Sequence, residues 1–148
     1  MNVFIFSFNV NPVSVKAADQ KIAQLNSELS TQKIIQKHCE SYRLCRKVIE
    51  DCKSAKDPKA YRTKHQAEYH LHDSLKKELQ NLGVTKIPSS DKIKKRIENL
   101  ESEQTASVRE KQGLQEKQKL LNTIQQNFNV LLDAPEMQPP LSEKENTL

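Results

Sequence analysis

Two histidines and two tyrosines come close together in the middle of the chain, in Tyr61, Tyr69 and the triplet His70-Leu71-His72. On a β-strand, a His-apolar-His triplet puts both imidazoles on one face, where they could hold a divalent metal beside a nucleophilic tyrosine. A metal-dependent nuclease would use that arrangement. The neighbours Leu71, Leu75 and Leu79 recur with helical period, however, and residues two apart on a helix point about 200° away from each other. Helical histidine ligands need spacings of three or four, so the two rings cannot grip one ion. The residues read as one stretch of amphipathic helix, with no metal and no cofactor.

A second candidate is the set Cys45 and Cys52 with His38, His65 and His72, near which lies a third cysteine, Cys39. His38, Cys45 and Cys52 share one heptad position, as do His65 and His72. Seven-residue steps separate successive ligands by about 10.5 Å, so one ion could take only one from each series. Seam residues of a helix pair fit this spacing better than a zinc cluster. The cysteines lie roughly 9–10 Å apart along a helix, beyond disulfide geometry. They are expected to be reduced thiols in a cytoplasmic protein, with nothing beside them to make one a nucleophile.

The densest basic clusters are Lys92-Ile93-Lys94-Lys95-Arg96 and Arg43-Leu44-Cys45-Arg46-Lys47. Such clusters are ordinarily solvated helix faces. Their functional reading is contact with a DNA backbone, salt-sensitive and nearly independent of sequence, through Lys92, Lys94, Lys95, Arg96, Arg43, Arg46 and Lys47. The formal charge of +5 comes from 24 basic and 19 acidic residues spread along the chain, which names no partner by itself. The sequence holds no Gly-rich phosphate loop and no paired-carboxylate site, so neither catalysis nor a small-molecule substrate is expected.

Helices must position these groups. Only 35% of the 148 residues are hydrophobic and 5% aromatic, with two Gly and no Trp, which suits long helices with a narrow apolar seam. Ile22, Leu25 and Leu29, then Ile35, Tyr42, Cys45, Ile49 and Cys52, predict a helix over 15–53 with a phase slip near Ser30-Thr31. Asp57-Pro58 supplies an N-cap and a first-turn proline for a second helix over 58–82, along Tyr61, Ala67, Leu71, Leu75, Leu79 and Leu82. Gly83 closes it. After Pro88, Ser89 or Ser90 caps a third helix over 90–132, with inner positions Ile93, Ile97, Leu100, Leu114, Leu121, Phe128 and Leu131. Gln104, Ser107, Lys111, Gln118 and Gln125 interrupt that seam.

The ends differ. Residues 1–14 form an apolar extension outside the fold, whose alternation would suit a short strand with nothing to pair with. It lacks a basic n-region and a cleavage site, and is too short to span a bilayer. Residues 134–148, with Pro135, Pro139 and Pro140, predict a disordered tail. The expected fold is therefore all-α: an elongated three-helix antiparallel coiled-coil-like hairpin over 15–133, its third helix folding back along the second and part of the first.

The order of features from Ile22 to Asp133 resembles the C-terminal helical region of relaxases, the mobilisation nucleases of conjugative plasmids and integrative elements. The resemblance rests on Tyr61-Arg62, Tyr69 to His72, Lys76-Lys77 to Leu82-Gly83, and Lys86-Ile87-Pro88-Ser89. It continues through the Lys- and Glu-rich helix to Asn127-Phe128-Asn129-Val130-Leu131-Leu132. In that family a separate N-terminal domain, with a catalytic tyrosine and a histidine-bound metal, nicks the transfer-origin DNA. The resemblance implies a chain without that domain, its first residues created by truncation or frameshift, and carries over no catalytic role. It implies a non-catalytic module that binds DNA backbone or partner proteins of the transfer complex. The competing expectation is a self-standing coiled-coil adaptor or homodimer unrelated to DNA; neither involves a membrane.

Overall fold

The computed structural model describes residues 12–133. The expected strand within residues 1–10 and the expected tail over 134–148 lie outside them. Among the described residues the protein is all-α, with α1 Pro12–Asp51, α2 Pro58–Lys64, α3 Gln66–Asn81 and α4 Ser90–Asp133, and a 3-10 turn at Cys52–Ser54. Helix α1 begins inside the expected N-terminal extension, because Ala18 and Leu25 continue its buried line toward α4.

Two cross-contacts fix the register of the long pair. Lys111 forms an ion pair with Asp19, and the Gln104 amide donates to the Asn26 carbonyl oxygen, so seven residues up α1 match seven down α4. The helices therefore run antiparallel. Tyr42 stacks on His72 and His38 meets Glu78, which makes α3 antiparallel to α1 as well. The close backbone approaches join α1 to α4 and α1 to α3, with none between α3 and α4. This corrects the expectation that the third helix folds back along the second. Helices α3 and α4 instead each pack on α1, α4 from Asp19 to Arg43 and α3 beside His38 and Tyr42, and the hinge between them lets α1 serve both.

The core sits where the three meet. Leu25, Leu29, Ile35 and Cys39 of α1 cluster with Leu79 of α3 and Ile93, Ile97 and Leu100 of α4, with Val84 and Ile87 of the hinge packed alongside. Between Leu29 and Ile35 the buried line of α1 slips phase, as the sequence predicts, and beyond the slip α3 joins α4 against α1, with Lys33 paired to Glu101 and His38 to Glu78. On α3 the covered line runs His72, Leu75 and Leu79, leaving Leu71 and Leu82 exposed at 48% and 37%. At the far end of α4, Leu131 is exposed, not on an inner face.

Local chemistry sets the breaks. The Asp57 carboxylate accepts from the Lys59 and Ala60 N–H groups at 3.1 and 3.2 Å, with Pro58 in the first turn, where it sacrifices no hydrogen bond. The predicted helix over 58–82 divides at His65, which leaves helical geometry at φ −106° and ψ 25°. There the His65 ring is held by the Glu68 carboxylate at 3.2 Å and by the Tyr61 ring at 4.3 Å. Glu68 thus ties its side chain to the His65 ring at the start of α3, while the His65 N–H is taken by the Tyr61 carbonyl.

Helix α3 ends in a Schellman motif: Gly83 N–H donates to the Gln80 carbonyl and Val84 N–H to that of Leu79. Gly83 takes φ +81°, and a Cβ there would meet nothing within 4 Å. Gly83→Ala is therefore expected to cost about 1–2 kcal/mol through backbone strain alone. Urea unfolding checks this, and an unchanged midpoint would refute it.

Beyond Leu100 the α1-facing line of α4 turns polar, through Gln104, Ser107 and Lys111. Ser107 is 2% exposed and its hydroxyl has no hydrogen-bond partner. A buried hydroxyl without a partner destabilises by about 1–3 kcal/mol. Ser107→Ala is expected to raise the melting temperature, because it removes that hydroxyl and adds a better helix former. A lower melting temperature would mean that the hydroxyl is satisfied in solution.

Candidate functional site

The basic residues singled out in the sequence divide into two groups. Arg43, on the half-buried side of α1, donates to the Ser90 hydroxyl at 2.7 Å and to the Pro88 carbonyl oxygen. Its guanidinium thereby clamps the hinge and the first residue of α4 onto α1. Arg96 is paired with Glu28, and Arg46 with Glu50 at 2.9 Å one turn along the same helix. These three arginines already serve contacts within the protein.

Lys92, Lys94 and Lys95 occupy the first two turns of α4 and are exposed, as is Lys47 on α1. None of the four forms an ion pair among the described residues. The N-terminus of a helix carries the positive end of its dipole, so lysines there gain nothing from the helix itself. Ser89 caps this end, its hydroxyl accepting from Lys92 N–H at 3.3 Å. The result is a set of exposed ammonium groups around the first two turns of α4 whose charge is available to an outside anion.

The histidines and tyrosines are drawn apart by the same helices. His70 is exposed, with its Nε2 3.4 Å from the Gln66 amide nitrogen, whereas the His72 ring stacks on Tyr42 at 4.5 Å between centroids. Among the described residues no group of three His, Cys, Asp or Glu side chains is placed to hold a metal ion. Tyr69 lies under the Arg62 guanidinium, 5.1 Å from its ring centroid. The hydrogen bond with Cys52 is the foremost cause that raises the Tyr69 pKa, followed by desolvation. A tyrosine nucleophile would need the opposite shift.

Cys39, Cys45 and Cys52 are free thiols, the first two buried. Burial pushes the Cys39 and Cys45 thiols up, foremost by desolvation, with Arg43 opposing it at Cys39. They stay neutral and behave as small apolar seam residues. Backbone hydrogen bonding and His65 hold Glu68 below the usual carboxylate range.

The heptad and cluster patterns showed the lysines and the cysteine seam. They could not show the Arg43 clamp or the Tyr42–His72 stack, which join residues far apart in the chain. No helix among the described residues is long and apolar enough to cross a membrane. Comparison with protein-family models, with curated proteins and with solved structures finds no match for this chain.

Proposed function

We propose that the chain is a non-catalytic helical module of the relaxase C-terminal type, which holds a DNA backbone loosely and presents its helical faces to partners of a conjugative transfer complex. In this reading it is an elongated antiparallel coiled-coil-like hairpin acting in the cytoplasm, with α2 and α3 together making one of three arms. The observation that carries the DNA part is the exposed set Lys92, Lys94 and Lys95 at the start of α4, with no ion pair among the described residues. Three mobile ammonium groups on one short stretch suit phosphate oxygens and lack the planar, fixed donors that read base edges.

Fluorescence anisotropy with short duplexes over a salt series tests this. Affinity is expected to fall steeply with salt and to differ little between sequences. The triple Lys92→Gln, Lys94→Gln, Lys95→Gln variant is expected to flatten the log–log salt slope by about 0.9 for each lysine that contacts a phosphate. Salt-insensitive binding, or a slope unchanged in the variant, would refute the assignment.

A second reading is an adaptor or homodimer unrelated to DNA. It is favoured by the apolar side chains Leu120, Val130, Leu131 and Leu132, all more than 60% exposed toward the end of α4. Sedimentation separates the two: a stable dimer indifferent to salt and DNA supports the adaptor.

A further inference from the structure

The break at His65 shapes a groove on α2 and α3 that the lysines of α4 do not reach. Lys59, Arg62 and Thr63 line it from α2, and Gln66, Tyr69 and His70 from α3. These residues follow one another at three- and four-residue steps, so they form one stripe that the break at His65 folds into a concave surface.

The groove is rich in donors and nearly free of acceptor charge. Neither Lys59 nor Arg62 forms an ion pair among the described residues. The Arg62 guanidinium lies over the Tyr69 ring, 5.1 Å from its centroid, within the range of a cation–π contact. Gln66 adds an amide, and Tyr69 stays protonated, so it brings no negative charge. The one carboxylate at the rim, Asp73, lies 3.4 Å from Nδ1 of His72. By contrast, the groove on α4 mixes Glu98 and Glu101 with Arg109.

We propose that the α2–α3 groove is a binding site for a phosphoryl anion, with Lys59 and Arg62 supplying the charge and Gln66 a neutral hydrogen bond. Arg62 is the orienting residue, because its guanidinium fork can bond two oxygens at once. The site is independent of the Lys92–Lys95 surface, and it stands or falls without the DNA reading. The same chemistry serves a free phosphate or a phosphate of a nucleic-acid backbone.

The test is an NMR titration of the isotope-labelled full chain with inorganic phosphate at constant ionic strength, with chloride as the matched control. Saturable shifts are expected over residues 59–73, and none with chloride. Lys59→Gln is expected to weaken the response by about tenfold, the loss of one charge-assisted hydrogen bond. Lys59→Gln with Arg62→Gln is expected to abolish saturation while the helical circular-dichroism signal is kept. Because Arg62→Gln also loses the Tyr69 contact, the single Lys59→Gln variant keeps the result interpretable if the double variant unfolds. Shifts spread evenly over all lysine-bearing faces, or unchanged in Lys59→Gln, would overturn the site. A short duplex in place of phosphate identifies the source. Movement of the same resonances in competition with phosphate assigns the site to a nucleic-acid backbone, and phosphate shifts that the duplex leaves unaltered assign it to a free phosphoryl ligand.

Discussion

Leu79→Ala is expected to lower the unfolding free energy by about 2–5 kcal/mol, the range for truncating a buried leucine. Leu79 is 1% exposed and belongs to the cluster that joins α1, α3 and α4. The side chain therefore contributes its own burial, about 1.5–3 kcal/mol, and supports three helices that would otherwise face a cavity. Domains of this size are stable by only about 5–15 kcal/mol in total, so the variant is expected to be substantially unfolded at moderate temperature. Leu120→Ala is the control: at 61% exposure its effect is expected within about 0.5 kcal/mol. Urea denaturation followed by circular dichroism reads both. Equal effects at the two positions would place the core elsewhere.

Arg43→Ala carries the second large effect, and its direction separates a structural role from a nucleic-acid role. Arg43 supplies two hydrogen bonds from α1 to the segment between α3 and α4, at Pro88 and Ser90. Bonds made by a charged group contribute about 1.5–3 kcal/mol, and because Arg43 is half-exposed the loss is expected near the lower value. Amide hydrogen exchange is expected to quicken over residues 88–97, while exchange over α2 is unchanged. Arg43→Lys rescues little, since an ammonium cannot reproduce the fork that reaches both acceptors. DNA affinity, measured on the folded fraction, is expected to equal that of the parent chain. A loss matching that of the lysine variant would return Arg43 to the nucleic-acid surface.

These expectations show how far the residues could be read on their own. The caps at Asp57, Gly83 and Ser89 were legible, because each is a local event in which one side chain or one left-handed residue completes a helix end. The break at His65 was not, since the pattern through Tyr61, Leu71 and Leu75 runs on with helical period. What interrupts it is the side-chain contact of His65 with Glu68 and Tyr61. The basic clusters were visible as composition. Which of their members are spoken for depended on Glu28, Pro88 and Ser90, each far along the chain from its arginine.

By itself, the sequence determined an all-α chain with helix breaks near residues 55 and 85, an apolar line in each long helix, and three thiols on a seam. Periodicity, capping and spacing are properties of neighbouring residues, so they are written locally. Tertiary structure alone decided that α1 packs against both α3 and α4 and that Arg43 locks the hinge. It also placed Tyr42 on His72 and bent the Lys59–Tyr69 stripe into a groove. The physical reason is that a seam with so many polar positions gives several registers similar apolar burial. The choice among them falls to long-range contacts such as Asp19–Lys111 and Arg43–Ser90, which exist only once the helices have met.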